Sequence, residues 1–399
     1  MFLAAAPYFQ HRFRTNVWIL NHFQPAEISV STVTNLGSML VLTKLQKGAS
    51  YPKRISISLI LNIVIFAILA LSTLVKTSAG IYFGFILVAI FAASVSTGFI
   101  QNGLFAFTAG FGRSEYTQAI MTGQAVAGVL PPLAQIISVV VVRANHPDDA
   151  ESQAESPTSA FIYFLTATVV SVLALLAFFW LLRRKARTDA MASAAKATAR
   201  GTSEGDAVTD GANYSRTDRD EAERHERPSI PLTTLLLKLR FLSAAVFVCF
   251  GVTMTFPVFT ASIESTSGMD SAIFIPLAFL LWNMGDLLGR LVTLTPKVSL
   301  THYPFALFCI AMARLVFIPL YFLCNIKGRG AVVSSDIFYL VIVQLLFGLT
   351  NGYLGSECMM GAGDWVAPGE REAAGGFMGL MLVAGLTVGS LLSFGLGDI

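Results

Sequence analysis

Apolar runs long enough to cross a bilayer follow one another through this chain, with few charges inside them. A hydrocarbon core of about 30 Å takes about 20 helical residues. Inside it every backbone N–H and C=O must be satisfied by the protein, which leaves helices or closed barrels. A barrel shows short alternating segments, whereas these runs are unbroken. The expected fold is therefore all-α, a polytopic membrane helical bundle. The composition agrees, because only 13% of the 399 residues are charged, against about 25% in soluble domains.

Ten full spans are expected, over residues 28–45, 55–75, 81–109, 116–142, 159–182, 241–263, 271–294, 304–323, 337–360 and 374–395. Gly110, Gly112 and Arg113 mark a tight turn between two of them. An apolar stub over residues 1–9 precedes the spans. It covers less than half a bilayer, and no basic segment precedes it as in a signal peptide. It reads as the tail of a helix.

The longest polar segment opens with Arg183, Arg184, Lys185 and Arg187, then runs through Ala, Ser, Thr and Gly into mixed charge. Such composition cannot bury a core, so disorder is expected. Three parts follow: a helical bundle over residues 1–182, a cytosolic linker over 183–235, and a second bundle over 236–399.

Lysine and arginine set the orientation. Lys44, Lys47, Lys53 and Arg54 fall on the same side as the linker's basic cluster, and that side is expected to be cytosolic. Asp148, Asp149, Glu151 and Glu155 fall on the other. The sequon at Asn213 lies in the linker and is expected to be unused. The basic groups sit in loops and form no nucleic-acid patch. Cys249, Cys309, Cys324 and Cys358 make no CxxC pair, and the expectation is buried free thiols with no metal site and no cofactor. No catalytic motif is found, so no enzyme is expected.

The chemistry gathers at a few intramembrane polar residues. Asp286 and Arg290 stand in an apolar run, where a charge is costly and is usually paired inward around a solute path. Their i,i+4 spacing puts both on one helix face. They read either as a lock between helices or as a grip on a hydroxylated solute. Gly285 and Gly289 give the same helix a small face for close approach. Gln124 reads as interhelical glue beside the packing glycines Gly123 and Gly128, and Pro131-Pro132 as a kink. Gln101 offers an amide donor and acceptor, suited to a base edge or to a structural bond. Gly348 and Gly352 next to Asn351 again permit close packing. Glu357 carries no assignable role, and Arg314 is an intramembrane charge with no partner evident from sequence.

In order along the chain, five patches carry a family likeness: Tyr8-Phe9 with Arg12; Gln101 with Leu104-Phe105; Tyr116, Ile120-Met121, Gly123-Gln124 and Ala127-Gly128; Asp286, Gly289 and Arg290; and Asn351 to Leu354 with Cys358-Met359, Glu372 and Ala374-Gly375. Together they resemble the equilibrative nucleoside transporters of the SLC29 type, fungal members most of all. The resemblance implies eleven helices, six then five, in a major-facilitator-like arrangement. It also implies facilitated diffusion of nucleosides by alternating access at a plasma or vacuolar membrane. By position, Asp286 and Arg290 would contact the ribose, Gln101 the base, and Leu3 would line the cavity. The family's first helix begins before the residue that matches Met1, so Met1 is expected to be an internal start. Two other readings stay open: proton coupling through Asp286, and a receptor, scaffold or transport-dead form. Oligomeric state is not readable, because glycine faces pack helices within a chain as readily as between chains.

Overall fold

The computed structural model describes residues 6–145, 157–201 and 230–394. They are nearly all helical, with one isolated bridge between Ile263 and Ile326. The first group of helices is α1 (Ala6–Phe13), α2 (Val17–Lys44), α3 (Tyr51–Ser72), α4 (Ala79–Ala109), α5 (Ser114–Asn145) and α6 (Pro157–Gly201). The second is α7 (Leu232–Lys238), α8 (Arg240–Thr253), α9 (Thr255–Ser262), α10 (Ser271–Val292), α11 (Pro304–Ala313), α12 (Phe317–Tyr321), α13 (Leu346–Gly361) and α14 (Arg371–Phe394). Leu3 lies outside the described residues, as do the acidic loop, the sequon and the last five residues.

Among the described residues, nine helical segments are long and apolar enough to cross a membrane. The expected span over 28–45 is part of α2, a longer helix of 28 residues. It carries His22, Gln24, Glu27 and Asn35 and is less apolar than the nine. Three spans are less regular than their hydropathy suggests. The first is interrupted at Met254, between α8 and α9. A 3-10 turn over Arg314–Val316 joins α11 to α12, and a π-helix, Phe338–Leu345, leads into α13. Pro131 and Pro132 lie within α5.

The opening of the linker corrects the expectation of disorder. α6 runs on to Gly201, so residues 183–201 are helical. This stretch is rich in alanine, the strongest helix former, and its basic groups sit on a helix already nucleated by the span before it. Residues 202–229 lie outside the described part. The turn after α4 is as expected, with Gly112 at φ +65°.

On α3 one face is buried through Ile55, Leu59, Phe66 and Leu69, while Ile57, Ile60, Val64, Ile68 and Leu71 are exposed. Apolar side chains facing outward at helical spacing suit contact with lipid. Among the cysteines, Cys309 is exposed and the other three are buried, so the expectation fails at that one position. It falls on the outer side of α11, whose buried residues are Leu307 and Ala311.

The apolar cores are arranged unevenly. At the face where α6 leaves and α7 returns, one core takes side chains from both groups: Met39, Phe105 and Met121 with Leu242, Val246, Leu354 and Phe377. Towards the opposite face each group has its own core. One holds Phe9, Phe13, Phe23, Phe66 and Phe164 from α1, α2, α3 and α6. The other holds Phe256, Trp282, Tyr321 and Phe347 from α9, α10, α12 and α13. The groups are thus closed together at the linker face. Polar pins reinforce that closure: Gln118 Nε2 donates to Thr293 Oγ1 at 3.0 Å, and the Ile230 N–H donates to Gln46 Oε1 at 3.1 Å. Within the second group, Lys238 Nζ meets Glu370 Oε1 at 2.6 Å on the same face.

Candidate functional site

In lipid, apolar surfaces gain little by meeting each other, so close helix contact relies on small residues and polar bonds. α10 and α13 use both. Gly285 and Gly289 on α10 face the backbone of Leu345 and Leu349, while Gly348 and Gly352 on α13 face that of Trp282 and Asp286. A methyl group on Gly352 would overlap the Asp286 carbonyl oxygen, and one on Gly289 that of Leu349. Two glycine pairs therefore face each other backbone to backbone. This proximity lets the short side chains Asp286 and Asn351 meet.

Asp286 Oδ2 accepts from Arg290 Nε at 2.8 Å, and Oδ1 accepts from Asn351 Nδ2 at 2.7 Å. Arg290 Nη1 donates to the carbonyl of Met121 and to Gln124 Oε1, 3.5 Å away. The pair thereby fastens α10 to both α13 and α5. Asp286 and Arg290 are 3% and 5% exposed, so the pair sits out of bulk water. Its guanidinium still keeps Nη2 without a hydrogen bond among the described residues.

The network continues past Asn351. Its Oδ1 lies 2.6 Å from Thr253 Oγ1 and 3.4 Å from Cys249 Sγ. Arg314 Nη2 donates to Thr253 Oγ1 at 3.2 Å, Nη1 to the Cys249 carbonyl at 2.6 Å, and Nε to Thr350 Oγ1 at 3.2 Å. The same guanidinium lies over the Phe347 ring, 4.7 Å from its centre. Arg314 thus has partners, all of them neutral, and Asp286 is the nearest carboxylate along this chain of bonds. Sequence reading missed Thr253 and Cys249 because neither is unusual in an apolar helix. The Met121 carbonyl leaves no sequence signal at all.

Not every expected residue joins this centre. Gln101 Oε1 accepts from Asn35 Nδ2 at 3.4 Å, and none of its bonds reaches Asp286 or Arg290. Asn102, its neighbour, is structural, tied to Arg54 and, at 3.3 Å, to Thr43. Gly128 packs against Asn283, as expected of a close contact. Gly123 does not: nothing lies where its Cβ would be, because it is exposed beside Gln124 while Met121 and Ala125 carry the buried face. Glu357 is buried, and its Oε2 accepts from Ser299 Oγ at 2.9 Å and the Leu300 N–H at 2.7 Å. Those two partners are a hydroxyl and a main-chain N–H.

A cavity of about 260 Å³ lies between α2 and α14, lined in part by Glu27, Asn35, Met254, Thr387 and Ser390. Asn35, the partner of Gln101, is on its wall. A second, of about 250 Å³, lies among α2, α3 and α4 and shares Glu27 and Ser31 with the first. Glu27, Ser31 and Asn35 recur at i, i+4 and i+8 on α2. That stripe was legible in the sequence but is not part of the family likeness.

The model of the nucleoside transporter family matches residues 86–397. This chain belongs to the nucleoside transporter family. It is 30% identical to Nucleoside transporter FUN26 of Saccharomyces cerevisiae, over 98% of this chain and 80% of that protein. It is 31% identical to Equilibrative nucleoside transporter 1 of Mus musculus, over 93% of this chain and 84% of that one. Among solved structures, the E. coli fucose:proton symporter FucP superposes with a TM-score of 0.53 at 13% identity, covering 98% of this chain and 90% of that one. The likeness to FucP shows the fold, which is major-facilitator-like. The SLC29 resemblance read from the five patches is borne out. The family is one of transporters, so the chain is a multi-pass membrane carrier and not an enzyme.

Proposed function

We propose that this chain carries nucleosides across a membrane by facilitated diffusion with alternating access, and that Arg290 is its sugar-facing donor. The observation that supports the role of Arg290 is the guanidinium itself. Asp286, Met121 and Gln124 fix its plane, and Nη2 is left to donate to a hydroxyl pair. Charge-assisted donors held in advance lose little freedom on binding. Asp286, with both oxygens already accepting, holds the guanidinium in place and keeps lone pairs for a further hydroxyl. Gln101, steadied by Asn35, stands for the base side of the site, and Leu3 for an apolar flank.

The uneven cores suit such a carrier, with residues 1–182 and 236–399 as the two moving bundles. One shared core closes the linker face, and separate cores let the opposite end part. With the linker in the cytosol, this is the state open to the outside. Secondary carriers rock two such bundles about a central site. The test is flux: purified chain in liposomes should exchange labelled internal uridine for external adenosine, saturably. Binding without exchange would favour a receptor over a carrier.

A further inference from the structure

A cavity of about 330 Å³ at the linker face shares no residue with the polar network around Asp286. It lies where α7 turns into α8, against the start of α11, with Leu237, Phe241, Pro304, Phe305 and Trp365 on its walls. Phe241 meets Phe305 edge to face, 5.3 Å between ring centres. Three spans end around it: one starts at Arg240, one starts at Pro304, and one stops at Asp364, next to Trp365. Span ends mark the level where hydrocarbon gives way to lipid head groups. The walls face outward there, Leu237 being 73% and Phe305 59% exposed, while Leu235, Leu239 and Leu242 turn into the shared core. Trp365 Nε1 donates to the Thr301 carbonyl at 3.1 Å and leaves its ring partly exposed. An amphipathic ring held this way is typical of the membrane border.

The mouth of this cavity is basic, because Lys238 and Arg240 line it as well. Lys238 is answered by the Glu370 carboxylate. Among the described residues, the charge left over at the mouth is therefore that of Arg240. Its guanidinium lies over the Phe241 ring, 4.8 Å from the centre, at the edge of the apolar wall. A guanidinium presents a planar fork of donors that suits a phosphate. An apolar groove with a cation at its rim matches the two parts of one molecule, an acyl chain and an anionic head group. We propose that this cavity binds an anionic phospholipid from the leaflet at the linker face. An acyl chain lies along Leu237, Phe241 and Phe305, and the head-group phosphate meets Arg240. With the linker in the cytosol, this is the leaflet that carries the anionic lipids. A lipid seated here touches α7, α8, α11 and the turn after α13 at once, and stabilises the folded chain as any ligand of the native state does. The site stands apart from the solute path and does not rest on the carrier reading.

The test uses the purified full chain in detergent, stripped of lipid, with dioleoyl phosphatidylserine or dioleoyl phosphatidylcholine added at matched concentrations. Bound lipid is counted by native mass spectrometry, and melting is followed in parallel. Phosphatidylserine is expected to bind about fivefold more tightly than phosphatidylcholine, the weight of one basic group at a charged lipid surface, and to raise the melting temperature further. Arg240→Gln is expected to lose that preference while melting as wild type does without lipid, because the side chain is exposed. Arg240→Lys, which keeps the charge, is expected to retain it. Leu237→Gln, which puts a polar group on the acyl wall, is expected to weaken binding of both lipids. Equal binding of the two lipids by wild type overturns the anionic site. A preference kept in full by Arg240→Gln places the anionic lipid elsewhere and overturns the assignment. A melting shift with inorganic phosphate as large as that with phosphatidylserine shows that the phosphate alone is bound, and overturns the lipid as occupant.

Discussion

Asn351 Nδ2 lies 2.7 Å from Asp286 Oδ1, a bond between two helices whose backbones touch through glycine. Asn351 is therefore the hinge of the polar network, donating to the acid on one side and accepting near Thr253 on the other. Asn351→Ala leaves one carboxylate oxygen without its donor. A buried polar group left unsatisfied costs about 1–3 kcal/mol. The expected result is a lower melting temperature in detergent, together with loss of uptake as Asp286 and Arg290 shift. Unchanged melting would mean that water replaces the amide.

The glycine contacts sort by space. Gly352→Ala places a methyl group on the Asp286 carbonyl oxygen, against backbone that cannot give way cheaply. Overpacking of this kind costs about 1–3 kcal/mol or more. Gly123→Ala meets nothing and is expected to melt at or slightly above the wild-type temperature, since alanine favours helix by roughly 1 kcal/mol. Thermal scans of the two variants side by side check the contrast.

Arg314→Lys tests whether the second buried guanidinium is a charge or a fork. Arg314 donates from three nitrogens to four residues on two helices, α8 and α13. A lysine ammonium offers three donors from a single point and cannot span them. Arg314→Lys is expected to be destabilised nearly as much as Arg314→Met, on the order of 2–4 kcal/mol, the scale of a disrupted buried network. A lysine variant that melts with wild type would contradict the reading.

Outside the membrane, Asp336 gathers the loop before α10. Its carboxylate accepts from the hydroxyls of Ser265 at 2.6 Å and Thr266 at 2.9 Å, from the Ser267 hydroxyl at 2.5 Å, and from the Thr266 N–H at 2.8 Å. Partial burial works to raise its pKa, but these donors outweigh it and hold the carboxyl well below the usual range. A folded-state value below the unfolded one means that the clasp stabilises the protein at neutral pH. That contribution fades as pH falls below the unfolded value of about 4. Asp336→Asn is expected to lower the melting temperature at pH 7, and the gap from wild type to narrow towards pH 3.

The helical membrane fold was legible because lipid leaves the backbone few choices, and long apolar runs announce them. The Asp286/Arg290 pair was legible for the same reason, since a charge at that depth needs a purpose. What stayed hidden depends on tertiary approach. Nothing in sequence says that Gly352 meets the Asp286 backbone, that Arg314 finds Thr253 and Cys249, or that Arg290 ends on a main-chain oxygen. Gly123 shows the reverse error: a glycine inside a packing motif need not itself be packed. The helical start of the linker was missed because polar, alanine-rich sequence was read for its missing core rather than for its helix propensity.

The most direct measurement is labelled nucleoside uptake by Asp286→Ala compared with wild type at equal amounts of protein in the membrane. Uptake is expected in wild type and is expected to disappear in the variant, because Arg290 loses the partner that aims it. Wild-type rates in Asp286→Ala would contradict the sugar-facing site. Absence of nucleoside uptake in wild type would contradict the carrier itself.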